Sequence, residues 1–221
     1  MKLFMKLIKM SALVLIFVVS GTNIKAETLE QFGSPAVLIN AGDSGGIYTT
    51  TAICNRAGIQ FDVGIDVKPE DIEKGSGRIG ENREKYGPTV EYIFSNFPLG
   101  TQYETVIVTI GTPNRGIGIR FIEYILKDVK ANLDWAKENK IPVIGVYVDG
   151  KDARGDTVSD TETLIDFVAP YCDILMTTVS GNDDGRFTKL GEELGIPVIE
   201  GKNLTALVGV FQELFGIEPV E

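Results

Sequence analysis

The chain has 221 residues, with 31 acidic residues against 21 basic ones, two cysteines and no histidine. The lack of histidine excludes histidine-ligated metal sites and every catalytic mechanism that relies on a histidine base. The excess of acidic residues argues against nucleic acid and anionic membranes as partners, because proteins that bind either usually carry an excess of lysine and arginine.

The first 26 residues have the order of a secretory signal peptide. Three lysines precede an apolar run at 10–19, and Ala26 offers a small residue at a cleavage position. The run is about half as long as the ~20 residues of a membrane-spanning helix, although an uncleaved anchor is the alternative. We expect residues 1–26 to be removed and residues 27–221 to form one acidic α/β domain, exported to the periplasm or beyond.

Six short apolar runs alternate with helical patterns along the rest of the chain. Most runs lack polar alternation, which is typical of strands covered on both faces, whereas the second run alternates and predicts an edge strand. The pattern predicts one doubly wound, mostly parallel sheet of five to six strands in the order 2-1-3-4-5, with the sixth added last. This is a flavodoxin-like or Rossmann-like three-layer sandwich. The runs lie at 36–41, 59–65, 105–110, 143–148, 174–179 and 197–199.

The helical patterns carry recognisable caps. Residues 121–140 place apolar side chains on one stripe. Ser159 followed by Glu162 is typical of a capping box, and Asn203 is expected to cap the last helix. Residues 68–85 are rich in charge and glycine, which predicts a solvated excursion or, alternatively, a mobile cover over a site.

The string Gly-Asp-Ser-Gly-Gly at 42–46 directly follows the first strand. It spells the nucleophile motif of chymotrypsin-like proteases, but those enzymes are antiparallel barrels and need a histidine. One interpretation is a tight turn whose Asp43 or Ser44 caps the next helix. The other interpretation is that an anion also binds to the exposed backbone N–H groups at the start of that helix. Asp43, Ser44, Gly45 and Gly46 are therefore candidate ligand-binding residues.

The same string also resembles the nucleophile block of the GDSL hydrolases, which are α/β proteins. Residues 181–183 resemble their Gly-x-Asn-Asp block. The histidine that completes that family's site is missing here, and a serine without a base is a poor nucleophile. A degenerate hydrolase assisted by a metal ion or by carboxylates is therefore an alternative function.

A second glycine-rich loop follows the third strand at 111–118. In the predicted order, strands one and three are neighbours whose crossovers leave on opposite faces, and ligands of open α/β sheets usually bind there. Loops 42–46 and 111–118 are expected to face each other across one crevice, with Thr112, Asn114, Arg115 and Gly116 as candidate ligand-binding residues. The guanidinium of Arg115 suits a carboxylate or phosphate. The alternative is that both loops are only turns.

Two further loops, at 149–156 and 180–187, are dense in aspartate with interposed arginine. They fit either solvated turns or an oxygen-ligand site for Mg²⁺ or Ca²⁺. Asn182 and Asp183 are nominated as ligand-binding residues, while no catalytic residue, metal ligand or cofactor is predicted. Cys54 and Cys172 are expected to be buried free thiols, because strands three and four separate the first strand from the fifth.

Several phrases of the sequence resemble a family of small exported bacterial proteins, the domain of unknown function 6305. The resemblance covers nearly all of the chain after the signal. It implies a single Rossmann-like domain and export, and it carries over no catalytic residue. The phrases are PAVLINAGDS at 35–44, IGVYVDG at 144–150, VAPYCD at 168–173, GNDDG at 181–185 and FTK at 187–189.

These observations favour an exported, non-catalytic domain that binds a small polar or anionic molecule at the carboxyl ends of the strands. Besides the degenerate hydrolase, the second alternative to a binding domain is a protein-interaction module of an exported complex. Such a module requires an exposed apolar patch of several hundred Å². The sequence leaves the ligand, the oligomeric state and the final choice between binding protein and enzyme open.

Overall fold

The structure is a computed structural model, and it describes residues 32–42, 46–81, 91–111, 122–155 and 160–218. These residues form seven strands and six helices around one mixed sheet. The strands are β1 (Ala36–Ala41), β2 (Phe61–Gly64), β3 (Glu91–Ile93), β4 (Thr105–Ile110), β5 (Val143–Tyr147), β6 (Ile174–Thr178) and β7 (Val198–Gly201). The helices are α1 (Gly46–Ala57), α2 (Pro69–Ile72), α3 (Ile122–Glu138), α4 (Asp160–Val168), α5 (Arg186–Leu194) and α6 (Leu204–Leu214).

The sheet has the order β3-β2-β1-β4-β5-β6-β7. All neighbouring strands are parallel except β2 and β3, which are antiparallel. The predicted order of the six parallel strands is therefore confirmed, whereas the predicted count of five to six is too low by the strand β3. Every position of β4 and β5 is buried, as their continuous apolar runs predicted.

A hydrophobic core covers each face of the sheet. Val37 and Ile39 of β1 belong to the core under α3, α4 and α5, while Leu38 belongs to the core under α1 and α6. The amphipathic stripe predicted for residues 121–140 is seen in α3, where Ile125, Val129, Leu133 and Ala136 are buried. No helix in the described part of the chain has the length and apolarity to cross a bilayer.

The prediction that the second strand is an edge is wrong. β3 pairs with β2 at Asp62↔Ile93, so β2 is internal. Asp62 is buried rather than solvated, because its carboxylate accepts hydrogen bonds from the hydroxyl of Tyr103 and the backbone N–H of Gly77, each at 2.7 Å. A carboxylate buried among donors gives the same alternating pattern as one that faces water.

The prediction of a solvated excursion at 68–85 is also wrong for residues 68–81, while 82–85 lie outside the described residues. Ile72 and Ile79 are buried in the core under α3. The indole Nε1 of Trp135 on α3 donates to Glu73 Oε1 at 3.1 Å. The segment is therefore part of the packed domain.

The helix ends bear out the caps that the sequence marks within the described residues. Asn203 Oδ1 accepts from the backbone N–H of Ala206 at 3.0 Å, which confirms the predicted cap of α6. Gly195 ends α5 with a φ of 70°, a conformation that favours glycine. Ser159 lies outside the described residues, and its predicted partner Glu162 binds two guanidinium groups that the capping-box prediction did not include.

Candidate functional site

The candidate site lies at the carboxyl edge of the sheet, where β1 and β4 end side by side. Gly42 and Gly111 follow these strands, and the N–H of Gly111 donates to the carbonyl of Ala41 at 3.0 Å. Gly42 has a φ of 101°, and a Cβ at this position would lie 2.4 Å from the carbonyl oxygen of Gly111. Only glycine fits this close approach, and it brings together the starts of the two glycine-rich loops.

Most of the predicted site residues follow these two glycines directly. Gly46 is the first residue of α1, and Asn182 and Asp183 follow β6. The other predicted ligand-binding residues lie outside the described residues; they are Asp43, Ser44, Gly45, Thr112, Asn114, Arg115 and Gly116.

Asn182 holds the start of α5. Its Oδ1 accepts from the backbone N–H of Phe187 at 2.7 Å, and its Nδ2 donates to Thr188 Oγ1 at 2.8 Å and Glu200 Oε1 at 2.5 Å. Asp183 is exposed and lies 3.9 Å from the ammonium of Lys151. The side chain of Asn182 is thus engaged within the fold, and its role in ligand binding stays a prediction.

The two aspartate-rich loops are joined by a buried ion-pair network around Arg154. The side chain of Arg154 is only 2% exposed, and its Nη1 and Nη2 lie 3.0 Å from Glu162 Oε1 and 2.7 Å from Asp184 Oδ1. Arg186 binds the other oxygen of Glu162 at 3.0 Å and also contacts Asp166. These charges therefore match one another inside the fold.

The two loops also touch through their backbones. The N–H of Lys151 donates to the carbonyl of Ser180 at 2.9 Å. A Cβ on Gly181 would lie 3.0 Å from the carbonyl oxygen of Asp149. The guanidinium of Arg154 lies 5.8 Å from the ring centre of Phe187, which stacks on Tyr147. The ion-pair network therefore ties the ends of β5 and β6 to α4 and α5.

The pKa values of two carboxyl groups at this edge are shifted in opposite directions. Burial alone would raise the pKa of Asp184, but the hydrogen bonds from Arg154 and from the backbone N–H of Arg186 outweigh it and lower that pKa. Burial raises the pKa of Asp149, which follows β5 and is half-buried. No hydrogen bond or ion pair with another described residue offsets the burial of the Asp149 carboxylate, so its ionised form is disfavoured.

A small recess opens beside the end of β1, between the segment that follows β2 and the first half of α3. Asn132 lies in it with 5% of its surface exposed, and its Nδ2 donates to the carbonyl of Val67 at 3.1 Å. Asn132 Oδ1 is buried, and no donor among the described residues bonds to it. The recess is lined by Ile39, Asn40, Asp66, Val67, Ile125, Asp128, Val129 and Asn132.

Asn132 was not among the site residues predicted from the sequence. Its signal in the sequence was a polar residue on an apolar stripe, between Val129 and Leu133. Asp66 and Asp128 were missed too, because each is an ordinary polar residue in a turn or on a helix.

Within the described ranges, no group of three or more Asp, Glu, His or Cys side chains is placed to hold a metal ion. Cys54 and Cys172 are buried free thiols, which confirms their prediction. Burial raises the pKa of both thiols, so neither is a ready nucleophile or metal ligand.

Exposed apolar side chains are present on the added edge strand. Tyr92 and Ile93 of β3 are 43% and 52% exposed, and Leu99 is 69% exposed. Whether they belong to one continuous patch decides the interaction-module alternative, which stays a prediction.

No curated protein and no solved structure shows significant similarity to the chain. A family model does match: the one described as a domain of unknown function, DUF6305, aligns with residues 33–215. Since this match spans most of the chain, the protein belongs to the DUF6305 family.

Proposed function

We propose that this protein is an exported, non-catalytic domain that binds a small polar or anionic ligand where β1 and β4 end. In this proposal the fold is a doubly wound, flavodoxin-like three-layer sandwich, and the ligand occupies its switch point. The observation that carries the proposal is the contact between Gly42 and Gly111. Ligands of open α/β sheets bind where neighbouring strands send their crossovers to opposite faces, as β1 and β4 do towards α1 and α3.

The amino terminus of α1 supports an anionic group in this ligand. α1 has 12 residues and begins at Gly46, close after the end of β1. The first backbone N–H groups of a helix lack partners within the helix, and the helix dipole adds partial positive charge there. Together these features favour a phosphate or carboxylate. Arg115, on the loop that follows Gly111, is the cation nominated to pair with it.

The lack of histidine supports binding over catalysis, because the common base for a serine or water nucleophile is missing from the whole chain. One observation favours the hydrolase as a second candidate. Asp149 is a half-buried carboxylate at the same edge, and its pKa is raised by burial. General acids and bases often have pKa values shifted in this way.

Thermal unfolding of residues 27–221 with a panel of phosphates, carboxylates and neutral sugars tests the binding proposal. A ligand of the native state raises the free energy of unfolding by RT ln(1 + [L]/Kd), so one class of compound should raise the Tm in a saturable way. Arg115→Ala should weaken the response to anions.

Arg56→Ala is the matched control, because Arg56 is an exposed arginine in the last turn of α1, at the end of the helix remote from Gly46. Its response should equal that of the parent protein. The lack of a saturable response to any compound would refute ligand binding. A hydrolysable ester or phosphoester that is turned over, with loss of turnover in Asp149→Asn, would favour the hydrolase instead.

Export is tested on the native protein. Amino-terminal sequencing of protein recovered from the cell envelope or medium should begin at Glu27. An intact Met1 would contradict cleavage.

A further inference from the structure

The recess beside α3 is rich in hydrogen-bond acceptors. Asn132 Oδ1 is buried without a donor among the described residues, although the other end of the same amide is held at 3.1 Å by the carbonyl of Val67. A buried acceptor without a donor loses the hydrogen bonds that water gave it, so native proteins nearly always provide it with a partner. A group with N–H or O–H donors would fill this role.

The charges around the recess favour a positively charged donor. Asp66 and Asp128 line it together with Asn132, and each carboxylate oxygen can accept more than one hydrogen bond. Asp71, which follows on the same segment, is also buried with its Oδ1 lacking a donor among the described residues. Acceptors and negative charge therefore dominate this region.

Lys68 already shows the chemistry that this region selects. Its ammonium group contacts Asp128, one of the residues that line the recess. An ammonium carries three donors and no acceptor, which matches a recess lined by one amide oxygen without a donor and by two carboxylates. The recess has room for a group about the size of a water molecule, which an –NH₃⁺ head fills.

We propose that the recess formed by Asn40, Asp66, Asp128 and Asn132 is a subsite for a primary ammonium group. The ammonium donates to Asn132 Oδ1 and is held by the two carboxylates. The inference deepens the proposed function and rests on it: the ligand at this edge of the sheet carries an amine. The two proposals can still be refuted independently, because the ammonium subsite is tested with amines and with variants on α3 and next to α2.

The test is thermal unfolding of residues 27–221 in methylammonium chloride and in tetramethylammonium chloride at equal ionic strength. Both ions carry one positive charge, but only methylammonium has N–H donors. Methylammonium should raise the Tm by several degrees at about 100 times its Kd, and tetramethylammonium should not. In an ¹⁵N spectrum, the side-chain amide of Asn132, assigned by its loss in Asn132→Leu, should shift with methylammonium at the same Kd.

Two variants locate the effect. Asn132→Leu removes the orphan oxygen and should abolish the response. Asn139→Leu is its control, because Asn139 directly follows α3 and, like Asn132, donates its Nδ2 to a backbone carbonyl, that of Trp135. Lys68→Met removes the competing ammonium and should lower the Kd several-fold. Lys74→Met is its control, since Lys74 has the same 28% side-chain exposure but pairs with Glu81.

Equal responses to the two ammonium ions would overturn the proposal. So would a response that survives Asn132→Leu, or a saturable response to potassium with none to methylammonium. If Asn132→Leu does not fold, the Lys68→Met variant decides: an unchanged or weaker response sinks the proposal. A response to anions that depends on Arg115 would leave the proposed function standing in each of these cases.

Discussion

The two halves of the sheet's carboxyl edge differ in whether their buried polar groups have partners within the protein. Beyond β5 and β6, the buried guanidinium of Arg154 lies between Glu162 and Asp184, so the charges there are matched. Beside β1, the buried Oδ1 of Asn132 has no donor among the described residues. The arginine of the aspartate-rich loops that the sequence marked as a candidate metal site thus has two carboxylate partners within the protein, whereas the amide oxygen of Asn132 has no donor among the described residues.

This difference shows that polar residues point to a ligand when they are left unmatched rather than when they are numerous. A charge removed from water is costly unless a partner and hydrogen bonds replace its hydration. The ion-pair network meets that demand internally and is expected to stabilise the fold. In the recess, the uncharged Oδ1 of Asn132 is a buried acceptor without a donor among the described residues, so the recess is expected to respond to a ligand that supplies one.

The largest expected effect comes from breaking the ion-pair network. Arg154→Met should destabilise the domain by about 3–5 kcal/mol, because it removes a buried cation and leaves the mostly buried Glu162 with Arg186 alone and the partly exposed Asp184 without that cation. For a domain of this size that corresponds to a fall in Tm of about 6–20 °C. Thermal unfolding followed by circular dichroism measures it.

Lys151→Met is the control for this variant. Lys151 lies in the same turn, but its pair with Asp183 spans 3.9 Å and both side chains are largely exposed. Its loss should change stability by less than about 0.5 kcal/mol. Equal effects of the two substitutions would show that the network adds nothing beyond surface charge, and the contrast between the two halves would disappear.

The architecture was predictable because burial on both faces leaves continuous apolar runs in the sequence. This is why β4 and β5 were recognised as covered strands. The order of the six parallel strands is also correct, although it was predicted partly from the second strand being an edge, which it is not. β3 was not recognised, because it has only three residues and pairs with a strand that is distant in sequence. Asp62 compounded the error, since the partners that make its burial tolerable are distant in sequence as well.

The candidate site was predictable only in part. Glycines mark close backbone approach, so Gly42 and Gly111 pointed to the junction of β1 and β4. Asn132 could not be ranked above other asparagines, because the lack of a donor is a property of its surroundings. Likewise the aspartates and arginines of the loops at 149–156 and 180–187 gave no indication in sequence that they bind one another.

The second prediction concerns the junction itself. Gly42→Ala should cost about 2–4 kcal/mol, because the new Cβ meets the carbonyl of Gly111 at 2.4 Å and the φ of 101° disfavours any other residue. Chemical denaturation measures the loss. It should also weaken any ligand response by separating the two loops.

Gly195→Ala isolates the backbone contribution to that loss. Gly195 also has a positive φ, of 70°, but no atom lies within 4 Å of the position that a Cβ would take. This substitution should cost about 1 kcal/mol. If Gly42→Ala costs no more than Gly195→Ala, the close approach of the two loops is not a constraint on the fold.

The third prediction uses pH to measure how well the network matches its charges. The folded pKa of Asp184 is lowered, with the bonds from Arg154 and Arg186 outweighing burial. Its contribution to stability is therefore complete above the unfolded pKa of about 3.9 and is lost as pH falls through the folded pKa. Asp184→Asn should be less stable than the parent by about 1 kcal/mol between pH 5 and 8.

That gap should begin to narrow below about pH 3.9, the unfolded pKa, and close once pH falls below the lowered folded pKa, where the parent loses the same charge. Unfolding in urea at several pH values follows it. A gap that stays constant down to pH 2 would mean that Asp184 contributes through packing and not through its charge.

The smallest expected effect has the opposite sign. Burial raises the folded pKa of Asp149, so its ionised form costs stability at pH values above that pKa, and the cost vanishes below about pH 3.9, where both states are protonated. Asp149→Asn should therefore be more stable than the parent at pH 7 by a few tenths of a kcal/mol, and the difference should fade on acidification. Asp152→Asn, at an exposed aspartate three residues on, is the control and should leave the stability at pH 7 unchanged. A carboxylate that lowers the stability of the folded domain is easier to explain as part of a ligand site than as a contribution to the fold. If Asp149→Asn instead destabilises the domain at neutral pH, the charge of Asp149 is matched after all, as the charges of the neighbouring ion-pair network are.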